Sequence, residues 1–310
     1  MKILVTGSNG LLGQKITDLV CSEYKGKIEL VATGKGVNRY PHSEGFTYST
    51  LDITNKEQVN TVISQHKPNV VIHGAAATNV DWCENNKEEC INLNINATQY
   101  IASACKENLV HLVHLSTDFI FDGEKQLGDL YIETDIPKPV SHYGWSKLEA
   151  EKVVQNTLSD YSILRTVLVY GIVHDMSRSN VALWVKNNLE KGTQINVVND
   201  QYRTPTLAED LAKGCLLASL QKAKGIFNIS GKDYLNIYEL AQVVAKYFNL
   251  DSSLISPSSS KTLNQDAKRP ARTGFDLTKA RKELNYEPRS FEQGLAVLEV
   301  QLNNQKRDSL

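Results

Sequence analysis

The chain has 310 residues, of which 41% are hydrophobic and 22% charged, so it can bury a core without disulfides. Its formal net charge of −1 gives no overall basic signature of nucleic-acid binding, and it leaves room for a local anion pocket. No apolar run approaches the roughly 20 residues that a membrane-spanning helix needs, so no membrane association is expected.

Short apolar runs alternate with longer helical patterns over about the first 165 residues. The sequence predicts strands at residues 2–6, 28–33, 69–73, 110–116 and 161–165, a short strand before Leu51, and another at 226–229. It predicts helices at residues 11–24, 55–67, 88–107, 144–158 and 208–221. Because strands that are buried on both faces and alternate with helices form parallel sheets, we expect an α/β fold with a Rossmann-type doubly wound sheet.

The alternation of strands and helices loosens after about residue 170, where the loops become longer. We therefore expect two interlocked parts. Residues 1–170 and about 205–230 form the predicted dinucleotide-binding domain. Residues 171–204 and 231–310 form a smaller, predicted substrate-binding C-terminal part.

Three glycines, Gly7, Gly10 and Gly13, stand between the first predicted strand and the first predicted helix. Glycines permit a tight turn and a close approach of the backbone to phosphate, and the helix N-terminus offers free N–H groups to a pyrophosphate. Glycine-rich turns are common, so the triplet alone is weak evidence. Its place between a strand and a helix favours a dinucleotide site.

The residues after the second predicted strand bear on the choice of cofactor. No acidic residue that could bind a ribose 2′-hydroxyl follows Thr33; Gly34 occupies that place, with Lys35 and Arg39 nearby. The two cations suit a 2′-phosphate and favour NADPH, although both could equally be solvated surface residues. Asp52 is a candidate for the adenine amino group or for the cap of the following helix.

A second group of residues has the chemistry of a proton donor. Tyr143 and Lys147 are four residues apart, so they share one face of a helix, and the ammonium is expected to lower the tyrosine pKa from about 10. Ser116 and Thr117 end the fifth predicted strand, at the sheet edge where doubly wound folds bind ligands. Tyr143 and Lys147 alone could be an accidental surface pair, but with Thr117 they predict a catalytic site that Ser116 supports.

The glycine loop, HLSTDFIFDG (114–123) and YGWSK (143–147) together resemble extended short-chain dehydrogenases/reductases, and within them the dTDP-4-dehydrorhamnose reductase family. The likeness covers most of the chain and includes AAATNVDWCE (75–84), VVNDQYRTPT (197–206) and KRPARTGFD (268–276). It implies that Thr117, Tyr143 and Lys147 are catalytic. It also implies that Asn94 supports the active-site helix.

The resemblance, with the two cations after the second strand, defines the expected ligand contacts. The cofactor is expected at Gly7, Asn9, Gly10, Leu11, Leu12, Gly13, Lys35, Arg39, Asp52, Ile53, Ala75, Ala76, Ala77, Asn94, Ser116, Tyr143 and Lys147. The nucleotide sugar is expected at Thr117, Asp118, Gln201, Arg203, Pro205, Thr206 and Arg269.

Some positions depart from the family pattern. Leu168 stands where the reductases have a tryptophan near the sugar. His73 and Gly74 stand where the family usually has asparagine and alanine. Asp118 is followed by Phe119, whereas related dehydratases carry an Asp-Glu pair for elimination, so a dehydratase is excluded.

These features predict NADPH-dependent reduction of the 4-keto group of a nucleotide-linked 6-deoxy sugar, first of all dTDP-4-dehydrorhamnose to dTDP-rhamnose. A non-catalytic regulatory subunit, like that of methionine adenosyltransferase, is the alternative from another class. A nucleotide-sugar epimerase is the alternative enzyme. The use of NADH and a homodimer are both left open.

The cysteines and histidines carry no further site in this interpretation. Five cysteines without a C-x-x-C pair, and no signal-peptide pattern, lead us to expect free thiols and a cytoplasmic location. His111 and His114 are three apart on a predicted strand and point to opposite faces, so no metal site is predicted.

Overall fold

The computed structural model describes residues 1–174, 180–262 and 265–308. Residues 175–179 of the predicted substrate-binding part lie outside the described residues. The strands are β1 Lys2–Thr6, β2 Glu29–Gly34, β3 Thr47–Thr50, β4 Val70–His73, β5 His111–Thr117, β6 Tyr161–Thr166, β7 Val169–Tyr170, β8 Ile195–Val198, β9 Tyr202–Arg203, β10 Thr206–Leu207, β11 Gly225–Asn228, β12 Leu235–Asn236 and β13 Ile255–Ser258. The α-helices are α1 Leu11–Ser22, α2 Lys56–His66, α3 Val80–Asn85, α4 Lys87–Ile91, α5 Ala97–Glu107, α6 His142–Thr157, α7 Val181–Glu190, α8 Ala208–Gln221, α9 Ile237–Tyr247, α10 Thr278–Leu284 and α11 Phe291–Asp308.

A seven-stranded sheet has the order β11-β6-β5-β4-β1-β2-β3, and each of its strand pairs is parallel. The chain builds outward from β1 on one side and from β4 on the other, so the order changes direction between them. In such sheets ligands bind in the crevice outside the carboxyl ends at that switch point. The predicted doubly wound α/β fold is confirmed.

Apolar layers cover both faces of this sheet. Ile3 and Val113 pack into a layer with α1 and α8, whereas Leu4 and Leu112 pack into a layer with α2, α5 and α6. Burial on both faces explains why the strands have continuous apolar sequences instead of alternating ones. The two packed layers hold the carboxyl ends of β1, β4 and β5 side by side at one edge.

A separate apolar core lies in the C-terminal part. It is formed by α7, α9 and α11 against β8 and β13, and its buried side chains include Leu183, Val185, Leu240, Val244 and Leu295. After β10 and α8, the chain returns to the large sheet, where β11 forms the edge strand beside β6. The exact division of the chain into two parts stays a prediction.

Two local features differ from the helices predicted after β4. The helix predicted at 88–107 is divided into α4 and α5 by a π-helical turn, Asn92–Asn96, which buries the side chain of Asn94. The short helix α3 was not expected; it begins after Asn79, whose side chain accepts a hydrogen bond from the backbone N–H of Trp82.

Across the described ranges, no helix has both the length and the apolar character needed to cross a membrane.

Candidate active site

The glycine loop between β1 and α1 has the geometry of an anion site. Gly7 has a φ of +73°, and a Cβ at Gly13 would lie 2.4 Å from the Cα of Ser8, so both positions require glycine. Gly10 precedes α1, and the N–H groups that open this helix receive no side-chain cap from the described residues. These groups and the positive end of the helix dipole fit a pyrophosphate.

Asn9 connects the loop after β2 to the glycine loop. Its Oδ1 accepts a hydrogen bond from the backbone N–H of Arg39, and its Nδ2 donates to the carbonyl oxygen of Val37, each at 2.9 Å. A Cβ at Gly34 would lie 3.0 Å from Asn9 Nδ2 and 3.2 Å from the hydroxyl oxygen of Tyr48, which leaves little room for an acidic side chain. The segment expected to meet the ribose is therefore held by a residue of the glycine loop.

Lys35 and Asp52 form an ion pair just past the carboxyl ends of β2 and β3, with Nζ and Oδ2 2.7 Å apart. The hydrogen bond from Lys35 holds the pKa of Asp52 below its usual value, and Thr54 donates two more hydrogen bonds to the same carboxylate. The alternative in which Asp52 caps α2 is wrong. Asn55 occupies the cap and accepts a hydrogen bond from the backbone N–H of Gln58.

Asn94 connects the alanines after β4 to helix α6. Its Oδ1 accepts from the backbone N–H of Ala77 at 2.8 Å, and its Nδ2 donates to the Ala77 carbonyl at 3.1 Å and to Ser146 Oγ at 2.9 Å. Since Ser146 directly precedes Lys147, one buried amide fixes the loop after β4, the predicted cofactor loop, relative to the start of α6. The other predicted cofactor residues nearby are the half-buried Leu11, Leu12, Ala75 and Ala76 and the buried Ile53.

The start of α6 brings Tyr143 beside Thr117. Ser141 caps the helix by accepting from the N–H of Gly144, and a Cβ at Gly144 would lie 2.1 Å from the carbonyl oxygen of Phe119, so glycine permits this close approach. The Thr117 hydroxyl is hydrogen-bonded to the phenol, and the Phe119 ring meets Tyr143 edge-on with centroids 5.6 Å apart. A hydroxyl and a phenol thus lie together at the carboxyl end of β5.

Burial sets the protonation states of Tyr143 and Lys147. It raises the pKa of Tyr143 above its usual value, and the hydrogen bond with Thr117 offsets only part of this effect. Burial also lowers the pKa of Lys147 to about 8, against the opposing charge of Glu151. The expectation that Lys147 lowers the pKa of Tyr143 is wrong for the protein alone. Desolvation of the phenolate dominates, and the phenol stays protonated at neutral pH.

Ser116 is hydrogen-bonded to a buried ion pair, which Glu151 and Arg165 form. Its Oγ donates to Glu151 at 2.5 Å, and Arg165 donates to both oxygens of that carboxylate at 3.0 and 2.8 Å. These contacts fasten β5 and β6 to α6, one helical turn beyond Lys147. The predicted contact of Ser116 with the cofactor stays a prediction.

Asp118 and Arg203, both predicted to bind substrate, meet each other in the interior, with Nε and Oδ2 3.7 Å apart. Arg203 also donates to the carbonyl oxygens of Tyr202 and Pro270, each at 2.7 Å, and Asp118 accepts a hydrogen bond from Thr273. The two residues therefore hold β5 and β9 to the segment around residue 270. Their contact with the substrate stays a prediction.

Arg269 is held by a partner that the sequence did not indicate. Asp81, in the first turn of α3, accepts from both terminal nitrogens of its guanidinium. An acidic residue and an arginine 188 positions apart give no pattern that would reveal such a pair. The remaining predicted substrate residues, Gln201, Pro205 and Thr206, are buried around β9 and β10.

Residues 1–303 match the sequence model of the RmlD substrate binding domain family. The chain belongs to this family. A probable low-salt glycan biosynthesis reductase of Haloferax volcanii is 31% identical over 97% of this chain and 98% of its own length. The methionine adenosyltransferase 2 subunit beta of Danio rerio is 31% identical over 100% and 90% of the two chains. The dTDP-4-dehydrorhamnose reductase of Aggregatibacter actinomycetemcomitans is 30% identical over 95% and 97%.

Solved structures agree with the RmlD assignment. A dTDP-4-dehydrorhamnose reductase from Clostridium acetobutylicum has a TM-score of 0.85 and 29% identity, covering 98% of this chain and 100% of that one. The Bacillus anthracis reductase, solved in complex with NADP, has a TM-score of 0.82 and 26% identity over 97% and 99% of the two chains. The predicted resemblance to extended short-chain dehydrogenases/reductases is confirmed, and with it the class of NAD(P)-dependent oxidoreductases.

Proposed function

We propose that the protein uses NADPH to reduce the 4-keto group of a nucleotide-linked 6-deoxy sugar, with dTDP-4-dehydrorhamnose as the first substrate to test. The observation that carries this proposal is the protonated phenol of Tyr143, held beside Thr117 at the carboxyl end of β5. Full-length RmlD relatives named as dTDP-4-dehydrorhamnose reductases support the substrate class. Leu168, in place of the expected tryptophan, makes a panel of sugars necessary.

The residues around the glycine loop fit a phosphorylated dinucleotide. The uncapped first turn of α1 suits the pyrophosphate, and Gly34 places no carboxylate where a 2′-phosphate would lie. Lys35 and Arg39 bring positive charge to the same loop. The Bacillus anthracis relative, described in complex with NADP, supports this choice. When bound, the cofactor supplies the hydride.

Tyr143 supplies the proton that completes the reduction. Because burial keeps its phenol protonated at neutral pH, Oη–H can be donated to the carbonyl oxygen as the C–H bond forms and the C=O π bond breaks. Thr117 is hydrogen-bonded to the phenol and orients it; its one hydroxyl proton, which is donated to Asp118 in this structure, can turn to the substrate oxygen instead. Lys147 retains most of its charge at pH 7, since its pKa is about 8, and stabilises the phenolate left on Tyr143.

A regulatory subunit is the second candidate, because the methionine adenosyltransferase 2 subunit beta of Danio rerio is similar over the whole chain. Such a subunit needs a partner surface but no proton donor at the sheet edge. The presence of Thr117, Tyr143 and Lys147 together therefore favours the reductase. An epimerase would differ from both, since it would convert its substrate without net consumption of NADPH.

The test is multiple-turnover consumption of NADPH by the purified chain with a panel of dTDP-4-keto-6-deoxy sugars. We expect turnover with at least one sugar, and we expect Lys147→Ala to abolish it. Lys213→Ala, which changes an exposed lysine on α8, is the matched control and should retain the activity. If every sugar left NADPH unconsumed while a partner protein co-purified with the chain, the regulatory function would replace the reductase.

A further inference from the structure

A buried series of hydrogen bonds connects the cofactor loop after β4 to the π-helical turn. The backbone N–H of Ala75 donates to Thr6 Oγ1 at 3.3 Å, and Thr6 Oγ1 lies 2.8 Å from Nδ1 of His73. On the other side of the ring, His73 Nε2 lies 3.2 Å from Thr98 Oγ1, which donates to the carbonyl oxygen of Asn94 at 2.7 Å. Thr6, His73 and Thr98 are each exposed by 2% or less, so water does not compete for these bonds.

The two backbone ends of the series decide where every proton lies. The carbonyl of Asn94 can only accept, so the Thr98 hydroxyl gives its one proton there and must itself accept from His73. This places the ring proton of His73 on Nε2. Nδ1 is then an acceptor, which the Thr6 hydroxyl satisfies, and Thr6 in turn accepts from the N–H of Ala75. All the hydrogen bonds run in one direction and require a neutral imidazole.

The surroundings of His73 keep the imidazole neutral. Burial and the nearby charge of Lys147 lower its pKa to about 3. The ring of His114, which is also buried, lies tilted against it with centroids 5.4 Å apart, so an uncharged ring covers that side of the His73 imidazole. A second ring proton would turn Nδ1 from an acceptor into a donor and would reverse the bond with Thr6.

We propose that His73 is a positioning residue of the active site, and that its neutral imidazole couples the cofactor loop to the catalytic helix. The series ends on the carbonyl of Asn94, and the side chain of Asn94 holds Ala77 on one side and Ser146, next to Lys147, on the other. Lys147 and the cofactor loop are therefore placed by one connected network. The inference rests on the proposed function only in one respect, namely that the proposed reduction takes place at this site.

Thr98→Val tests the coupling with little change of shape, because it replaces only the hydroxyl. The change removes the hydroxyl that accepts from His73 Nε2 and donates to the Asn94 carbonyl. We expect the dissociation constant of NADPH to rise and kcat to fall, each by roughly fivefold to tenfold, as for the loss of one buried hydrogen bond. The KM of the sugar should stay within about twofold, since the substrate side is untouched. Thr98→Ser keeps the hydroxyl and should restore both values.

Ser219→Ala is the matched control. Ser219 on α8 donates to the carbonyl oxygen four residues earlier, Cys215, at 2.7 Å, and is fully buried like Thr98. It therefore reports what the loss of such a bond does to stability alone. Both variants should lower the melting temperature, but only Thr98→Val should change NADPH affinity and kcat. The proposal would be overturned if Thr98→Val, Ser219→Ala and the unmodified protein had the same NADPH affinity and the same kcat.

A measurement on the unmodified protein does not depend on any variant folding. Nitrogen-15 spectra of labelled histidine distinguish the two neutral tautomers from the protonated ring. We expect His73 to be neutral, with its proton on Nε2, throughout the range from about pH 5 to pH 8. A proton on Nδ1, or titration within that range, would overturn the assignment. This arm and NADPH binding need no sugar, so they decide on His73 even if the proposed reduction fails.

Discussion

Asp81 holds Arg269 through both of its carboxylate oxygens, with nitrogen–oxygen distances of 3.1 and 2.7 Å. The backbone N–H of Ala267 donates to the same carboxylate at 3.1 Å. The hydrogen bond from Arg269 keeps the pKa of Asp81 below its usual value, so the pair is charged at neutral pH. Helix α3 thereby fixes the segment of the C-terminal part that carries Arg269, a predicted substrate residue.

Asp81→Asn should therefore weaken sugar binding more than it slows the chemical step. Without a charged partner, Arg269 loses its fixed orientation, while Tyr143 and Lys147 are unchanged. We expect the KM of the nucleotide sugar to rise roughly threefold to tenfold and kcat to stay within about twofold, as for a partly exposed ion pair. Steady-state kinetics measure both. Asp160→Asn, at the opposite edge of the sheet, should leave the KM unchanged, and an unchanged KM in Asp81→Asn would contradict the prediction.

Tyr143→Phe should separate cofactor binding from turnover. The variant keeps the ring that packs against Phe119 and removes only the proton donor. Loss of a general acid costs about 10²–10⁴-fold in rate, while NADPH affinity should hardly change. Stopped-flow reduction and cofactor titration measure the two effects. Tyr161→Phe, at the amino end of β6, is the control. Normal turnover by Tyr143→Phe would show that another group donates the proton.

The large sheet and its flanking helices could be predicted well because their signals are local, whereas the helices and short strands of the C-terminal core, such as α7, α9 and α11, were not predicted. The glycine loop ends one apolar strand and begins one helix, and each buried strand of the sheet is a short apolar run with its own helix beside it. The π-helical turn around Asn94 has no such signal. The turn carries the Asn94 amide, which is hydrogen-bonded to both Ala77 and Ser146. These two residues are separated by 69 positions, and a long-range hydrogen bond leaves no period in the sequence.

The site could be predicted only in part, for electrostatic reasons. The i,i+4 spacing of Tyr143 and Lys147 places them on one helical face, as expected. The direction of the Tyr143 pKa shift depends on how deeply the phenol is buried, which spacing does not contain. The sequence did not decide which residue caps α2 for a related reason. Asp52 and Asn55 are equally good caps by residue type, and only the three-dimensional structure shows that Asp52 pairs with Lys35 while Asn55 caps the helix.

The rate of reduction should fall as the pH rises through about 8, the pKa of Lys147. Below that pH both Lys147 and Tyr143 hold their protons. Above it, Lys147 loses the charge that stabilises the phenolate, so kcat/KM should fall by up to about tenfold per pH unit. Lys147→Arg keeps the charge at every accessible pH and should move this fall to higher pH. A profile of the unmodified enzyme that stays flat to about pH 10 would exclude this role for Lys147.

Lys35 should contribute to the choice of NADPH over NADH. Its side chain is 81% exposed and pairs with Asp52, so it can turn to a 2′-phosphate without breaking a buried contact. Lys35→Ala should raise the dissociation constant of NADPH roughly threefold to tenfold and leave that of NADH unchanged. Lys25→Ala, an exposed lysine after α1, is the control. Equal or tighter binding of NADH by the unmodified chain would contradict the preference itself.

The buried pair His73 and His114 should make the fold sensitive to acid. Burial lowers the pKa of His73 to about 3 and that of His114 well below its usual value. Histidines in the unfolded chain titrate near a pKa of about 6.5. Below that pH these histidines are protonated in the unfolded state but stay unprotonated in the folded state, so the free energy of unfolding decreases as the pH falls. Each histidine contributes on the order of 1 kcal/mol per pH unit in this range.

His114→Leu tests this linkage and should also stabilise the protein at neutral pH. Among the described residues, neither ring nitrogen of His114 has a hydrogen-bond partner, so its burial is unfavourable and an apolar side chain of similar size relieves the desolvation. Urea unfolding at pH 7 and pH 5 should show a higher free energy of unfolding in the variant at both values and a smaller difference between them. His42→Asn, which changes an exposed histidine, should leave that difference as it is in the unmodified chain. An equal pH dependence in His114→Leu would mean that His114 takes up its proton while the protein is folded, and that its ring is not buried as described.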